Sequence, residues 1–136
     1  MRPKHFFPSV TMLVLLATLT SGPTLASDRG GVENATFTSQ LVGQAPVDFR
    51  QEFSNTTPVV YYYCEVLGLP GQTVTHRWRH EGKVLQEIQI PIKSERQATW
   101  SKMDMPPDLT GVWNVDVVNG RGEVIETDMF TYDAPL

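Results

Sequence analysis

Two runs decide the class of fold: Pro58-Val59-Val60-Tyr61-Tyr62-Tyr63-Cys64-Glu65-Val66-Leu67 and Thr73-Val74-Thr75-His76-Arg77-Trp78-Arg79-His80-Glu81, joined by Gly68-Leu69-Pro70-Gly71-Gln72. Both are rich in β-branched and aromatic residues and alternate with period two, the signature of strands buried on one face. The short Gly- and Pro-containing link predicts a hairpin, and symmetric pairing about Pro70 sets its register. Val66 then faces Val74, Cys64 faces His76, Tyr62 faces Trp78 and Val60 faces His80 on the core side. On the solvent side Tyr61 lies across from Arg79 and Tyr63 across from Arg77, close enough for guanidinium groups to rest on phenol rings.

Working outward, no stretch from Asp28 onward keeps apolar residues at helical spacing for more than about two turns. Further strands are expected at Val32 to Val42, Val47 to Phe53, Val84 to Ile92, Gln97 to Lys102, Val112 to Asn119 and Glu123 to Tyr132. Turn chemistry separates them at Gly43-Gln44-Ala45-Pro46, Ser54-Asn55-Thr56-Thr57, Glu81-Gly82-Lys83, Met105-Pro106-Pro107-Asp108 and Asn119-Gly120-Arg121-Gly122. Short strands at this spacing bury their apolar faces by packing two sheets together. The expected fold is an all-β, immunoglobulin-like antiparallel sandwich of seven to eight strands, with a small closed barrel as the alternative. With one cysteine, Cys64, it lacks the cysteine pair of antibody domains.

The first 26 residues read as a secretory signal: basic Arg2 and Lys4, an apolar run from Val10 to Leu19, and a small-residue end at Thr24-Leu25-Ala26. The apolar run is far short of the roughly 20 residues that span a bilayer, so no retained membrane span is expected. Cleavage after Ala26 leaves residues 27–136 as one β-sandwich domain, periplasmic or secreted, long enough to bury a core without disulfides. Of the 11 basic residues two lie in the signal, against none of the 15 acidic ones, so the remainder carries a formal charge of −6. That balance speaks against nucleic acid, whose phosphates are held by clustered Lys and Arg. In an oxidising compartment Cys64 is either buried or bonded to another molecule.

Several segments together resemble a bacterial family, domain of unknown function 2914. They are Ala35-Thr36-Phe37, Ala45-Pro46-Val47-Asp48, Val60 to Glu65, Gly68 to Trp78, Gly82-Lys83-Val84, Trp100-Ser101 within Arg96 to Lys102, Leu109 to Val115, Gly122-Glu123-Val124 and Phe130. The His76-Arg77-Trp78 element after Gly71-Gln72-Thr73-Val74-Thr75 is its most specific part. The resemblance implies an exported or membrane-tethered β domain with no assigned activity, in which His76, Trp78 and Trp113 are structural. Arg96-Gln97-Ala98-Thr99 and Cys64 depart from the family pattern.

Candidate chemistry is sparse. His76 and His80 share a strand face but lie about 13 Å apart at about 3.3 Å per residue, too far to hold one metal together. Cys64 and His76 could supply two zinc ligands, or a thiol and its base. Both fall mid-strand on the core side, whereas active sites favour loops, and packing outweighs either use. No cofactor, metal site or catalytic residue is assigned, and the chain is read as a non-enzyme. The acidic residues Glu65, Asp104, Asp108, Asp116, Glu126 and Asp128 match no calcium-loop or paired-carboxylate spacing.

What remains is a surface. Tyr61, Tyr63, Arg77, Arg79 and Trp100 are the expected binding residues, and exposed Tyr and Arg favour protein recognition. The first expectation is an interaction module for another envelope protein or a peptide. The second is a carbohydrate or cell-wall binding module using Trp100 and the nearby tyrosines. The third is a small periplasmic enzyme, which needs polar residues converging on a pocket that the sequence does not display.

Overall fold

The computed structural model of the chain describes residues 28–136, together with Pro3. The signal segment and its cleavage point after Ala26 lie outside the described residues, Pro3 apart. Among the described residues ten strands follow one another: β1 (Gly31–Thr38), β2 (Leu41–Val42), β3 (Ala45–Pro46), β4 (Glu52–Ser54), β5 (Val59–Leu67), β6 (Thr73–His80), β7 (Lys83–Pro91), β8 (Arg96–Asp104), β9 (Gly111–Val118) and β10 (Val124–Asp133). A three-stranded sheet, β1-β5-β8, faces a five-stranded sheet, β4-β10-β9-β6-β7. Both sheets are open, so the fold is the expected immunoglobulin-like sandwich and not a barrel. In immunoglobulin lettering the first sheet is A-B-E and the second A′-G-F-C-C′.

Six of the eight expected strands stand within a few residues of their expected bounds. The first stops early because the Asp48 carboxylate accepts hydrogen bonds from the Thr38 hydroxyl (2.6 Å), the Ser39 amide (2.9 Å) and the Ser39 hydroxyl (2.7 Å), which turns the chain. Gly43 and Gln44 then both take positive φ (56° and 67°), the geometry of a tight two-residue hairpin between β2 and β3. The expected strand Val47 to Phe53 is mostly a crossing segment, and only Glu52–Ser54 pairs, parallel to β10. That pairing is the one departure from an antiparallel sandwich.

The larger correction concerns β5 and β6, which do not form a hairpin. β5 pairs with β1 and β8, while β6 pairs with β7 and β9 in the opposite sheet. The connection is an arch across the end of the sandwich. Leu69 is driven fully into the core, and backbone bonds from Gly68 to Glu95 and from Gly71 to Ile92 tie the arch to the β7–β8 connection. Alternation fixes which face of a strand is buried; it leaves open whether that face meets a neighbour beside it or a sheet above it. The true hairpin is the next one, β6–β7, whose Glu81-Gly82 turn carries positive φ at both positions (50° and 80°).

The core-side residues are placed as alternation required, apart from His80, which is only partly buried at the end of β6. Val60, Tyr62, Cys64, Val66, Val74, His76, Trp78 and Trp113 are all fully buried. Phe130 sits at the aromatic centre, stacked on Trp113 at 6.1 Å and edge-on to Trp78 at 6.3 Å. The Trp113 indole N–H donates to the Leu109 carbonyl (2.9 Å), pinning the start of β9 much as a tyrosine corner pins an immunoglobulin domain.

Candidate functional site

The inner face of β5 and β8 carries the residues with reactive chemistry. Cys64 lies opposite Thr99 and Tyr62 opposite Ser101 in the β5–β8 ladder, and His76 and Trp78 reach them from β6 across the core. The Trp78 indole N–H donates to Ser101 Oγ (3.0 Å), and Ser101 Oγ meets His76 Nδ1 (2.7 Å). His76 Nε2 meets Thr99 Oγ1 (3.2 Å), whose hydroxyl donates to the Cys64 carbonyl (3.0 Å). A neutral imidazole with its proton on Nε2 satisfies this chain throughout. Among the described residues no buried side-chain polar atom lacks a partner.

Cys64 Sγ and His76 Nε2 are 3.8 Å apart, so the residues expected to meet do meet, through side chains that cross the core. Their electrostatics run against nucleophilic use. Burial pushes the Cys64 thiol up to about 12, only partly offset by hydrogen bonds from Thr99 and Tyr62, and burial pulls His76 down to about 4. An activated dyad needs thiolate beside imidazolium; here both are neutral and both have zero exposure. The second histidine is elsewhere: His80 rests on the Trp113 ring at 4.9 Å and bonds the Thr110 carbonyl (2.7 Å). Among the described residues no group of three His, Cys, Asp or Glu is arranged to hold a metal.

The outer faces rearrange the expected binding surface. Tyr61 and Tyr63 lie on the outside of the three-stranded sheet, and Arg77 and Arg79 on the outside of the five-stranded sheet, so no joint Tyr and Arg face exists. This follows directly from the arch. Arg77 pairs with Glu87 (2.8 Å), and Arg79 makes a two-pronged bond with nearly buried Asp116 (2.8 Å for each prong), which also accepts from Thr127. Both arginines hold the strands of their own sheet together.

What the tyrosines gain in exchange is Trp100. It is 41% exposed, opposite Tyr63 in the β5–β8 ladder, and its ring centre lies 6.2 Å from that of Tyr61 with the planes at 54°. The rim beside it is polar and charge-balanced. Arg96 pairs with Glu33 (2.7 Å) and Glu65 (3.0 Å), Asn34 also donates to Glu65, and Lys102 stands opposite Tyr61. The sequence held a sign of this grouping in Thr99-Trp100-Ser101, where small polar residues on each side of a tryptophan match an inward Thr and Ser with the ring outward.

A second feature was missed. The cleft between β1 and β10 is about 700 Å³, lined by Thr36, Phe49, Glu52, Thr127, Asp128 and Met129 among others. No local sequence signal reports it, because it arises where two sheet edges meet.

Comparison with known families bears on the region that supplies the core. Residues 71–132 match the model of a family described as protein of unknown function (DUF2914). This stretch runs from β6 to Tyr132 of β10 and is similar to DUF2914. It contains the His76-Arg77-Trp78 element and Trp113, so the resemblance drawn from the sequence holds there. DUF2914 carries no assigned activity, which fits a non-catalytic domain. No curated protein matches the chain. Similar solved structures include the crystal structure of the CARDB domain of a Pyrococcus furiosus protein in complex with di-metal ions, 9% identical, covering 82% of this chain and 100% of that one with a TM-score of 0.47. The solution NMR structure of the same domain is 14% identical, covering 77% and 98% with a TM-score of 0.42.

Proposed function

We propose that this protein is an exported, non-catalytic recognition domain whose working surface is the outer face of the β1-β5-β8 sheet. The observation that carries the reading is the exposed Trp100 grouped with Tyr61 and Tyr63 and rimmed by Arg96. Tryptophan, tyrosine and arginine are the residue types that dominate binding energy at protein interfaces. The partner in this reading is an apolar segment of another envelope protein, anchored on the exposed Trp100 ring and the adjoining Tyr61. Export rests on the N-terminal sequence, with its short apolar run ending at Ala26.

A glycan is the second reading, favoured by the charge-balanced rim of Glu33, Asn34, Glu65 and Arg96, whose donors and acceptors suit sugar hydroxyls. The 54° tilt between Tyr61 and Trp100 weighs against a flat platform for an extended polysaccharide. A pull-down from native envelopes separates the two. Protein captured by the wild type and lost with Trp100→Ala supports the first reading, whereas retention on insoluble cell-wall material that free oligosaccharide reverses supports the second. Capture unchanged by Trp100→Ala would contradict both.

A further inference from the structure

The larger sheet has an unfinished edge. β10 runs for ten residues, yet its outer neighbour β4 is three residues long and pairs only with Thr131–Asp133. Upstream of β4 the chain leaves β10 and crosses to β1, where the Arg50 amide bonds the Phe37 carbonyl (3.0 Å). At the other end Arg29 closes over β10, bonding the Val124 carbonyl (3.1 Å) and pairing with Glu123 (3.2 Å). Between these two closures, residues 125–130 have no strand partner on their outer side among the described residues.

The direction of the free groups follows from the bonds at the paired end. The Thr131 amide points outward, donating to the Gln51 carbonyl (2.9 Å), and the Asp133 carbonyl accepts from the Asn55 amide (2.8 Å) on the same side. Backbone N–H and C=O groups alternate sides along a strand, so Met129 and Thr127 present both of theirs to the open edge. The edge gives onto the cleft of about 700 Å³. Asp128 and Glu126 point inward from β10 beside it; Asp128 accepts from the Tyr62 hydroxyl (2.7 Å), and burial together with Asp128 raises the Glu126 carboxyl above its usual range. On the outside Met129 is 54% exposed and Phe49 78% exposed.

We propose that residues 125–130 of β10 accept an added strand, an extended segment of a partner chain with basic residues turned inward toward Asp128 and Glu126 and apolar residues turned outward onto Met129 and Phe49. Main-chain pairing supplies affinity in such additions and alternate side chains supply selectivity. Inward carboxylates at an edge discourage pairing with neutral or acidic strands, which protects the edge from indiscriminate association. The same carboxylates complement a segment carrying Lys or Arg. Arg50 also lines the cleft, with its guanidinium over the Phe53 ring at 5.0 Å. The free length matches the usual strand of about 5–6 residues.

The test uses the full chain and three blocked heptapeptides: alternating Val and Lys, alternating Val and Glu, and the Val and Lys sequence with alternate backbone nitrogens methylated in both registers. Amide NMR titration is expected to move Thr127 and Met129 with the first peptide and to slow their hydrogen exchange. The second and third are expected to bind at least about tenfold more weakly. Met129→Pro is expected to abolish binding by removing an outward N–H, and Phe49→Ala, on an exposed segment, to weaken it several-fold without touching the core. Equal binding of all three peptides, or shifts confined to β7 or to the Trp100 face, would overturn the proposal. Protection of Thr127 and Met129 that grows with protein concentration in the absence of peptide would overturn it in favour of a second copy of this chain.

Discussion

The two faces of the β5–β8 ladder are built from alternate residues of the same two strands and differ in every property that matters for function. Inward, Cys64, Thr99 and Ser101 join His76 and Trp78 in a dry chain of hydrogen bonds with no exposure at the thiol or the imidazole. Outward, one position away, Tyr63, Trp100 and Lys102 stand in solvent reach beside Tyr61. The reactive residues of the two strands are sealed in, and the aromatic residues beside them are available. A side chain's reach, set by the sheet it belongs to, decides between a structural and a functional role before its chemical type does.

If the inner face is purely structural, its substitutions dominate stability. Trp78→Ala is expected to lower unfolding free energy by about 3–5 kcal/mol, by opening a cavity beside Phe130 and stranding Ser101, as measured by denaturant unfolding. A loss under about 1 kcal/mol would mean the core relaxes around the gap and is less tightly specified than its packing indicates. The next effect is pH-dependent. His76 takes up a proton only near pH 4 when folded, against 6.5 for the ordinary group, so between those values the unfolded chain binds more protons. Stability attached to His76 is therefore whole above about pH 6.5 and falls as the pH drops toward 4, by about 3 kcal/mol in all. The measurement is the difference between wild type and His76→Gln across that window, since Gln does not titrate and the difference isolates this residue from Glu126. A flat difference would contradict the buried neutral imidazole.

Ser101→Ala sharpens the comparison further, because it removes the one atom that meets both His76 Nδ1 and the Trp78 indole N–H. About 1–3 kcal/mol is expected, the range for leaving buried polar groups unpaired. Cys64 supplies a kinetic counterpart. With its thiol at about 12 and fully buried, it should react with an aromatic disulfide reagent only as fast as the protein unfolds, and rapid labelling of the native protein would place Cys64 outside the sealed face.

How much of this was legible beforehand divides along the same line. Period-two alternation in Val59–Leu67 and Thr73–His80 was enough to sort inner from outer residues, since a strand's two faces are set locally. It could not tell a hairpin from an arch. That choice rests on Leu69 finding the core and on Gly68 and Gly71 bonding residues more than 20 positions away, and on it hung the union or separation of the tyrosines and arginines. Asp116 shows the same limit: its two-pronged bond to Arg79 depends on the β6–β9 register, which no local pattern encodes. The unpaired edge of β10 depends on where β4 begins, which is decided by the Arg50 bridge to β1.

The smallest expected effect on stability is at the outer face, and it is also the most telling for function. Trp100→Ala should change unfolding free energy by no more than about 0.5–1 kcal/mol, since the ring packs chiefly on Tyr61 at the surface. The direct test places a photo-crosslinking amino acid at position 100, and separately at position 77 on the opposite face, in the full chain within intact cells of its source. A discrete protein adduct at position 100, absent at position 77 and suppressed by excess wild type but not by excess Trp100→Ala, is the predicted result. Equal adducts at both positions, or one competed equally by Trp100→Ala, would contradict the assignment of the three-stranded sheet as the recognition face.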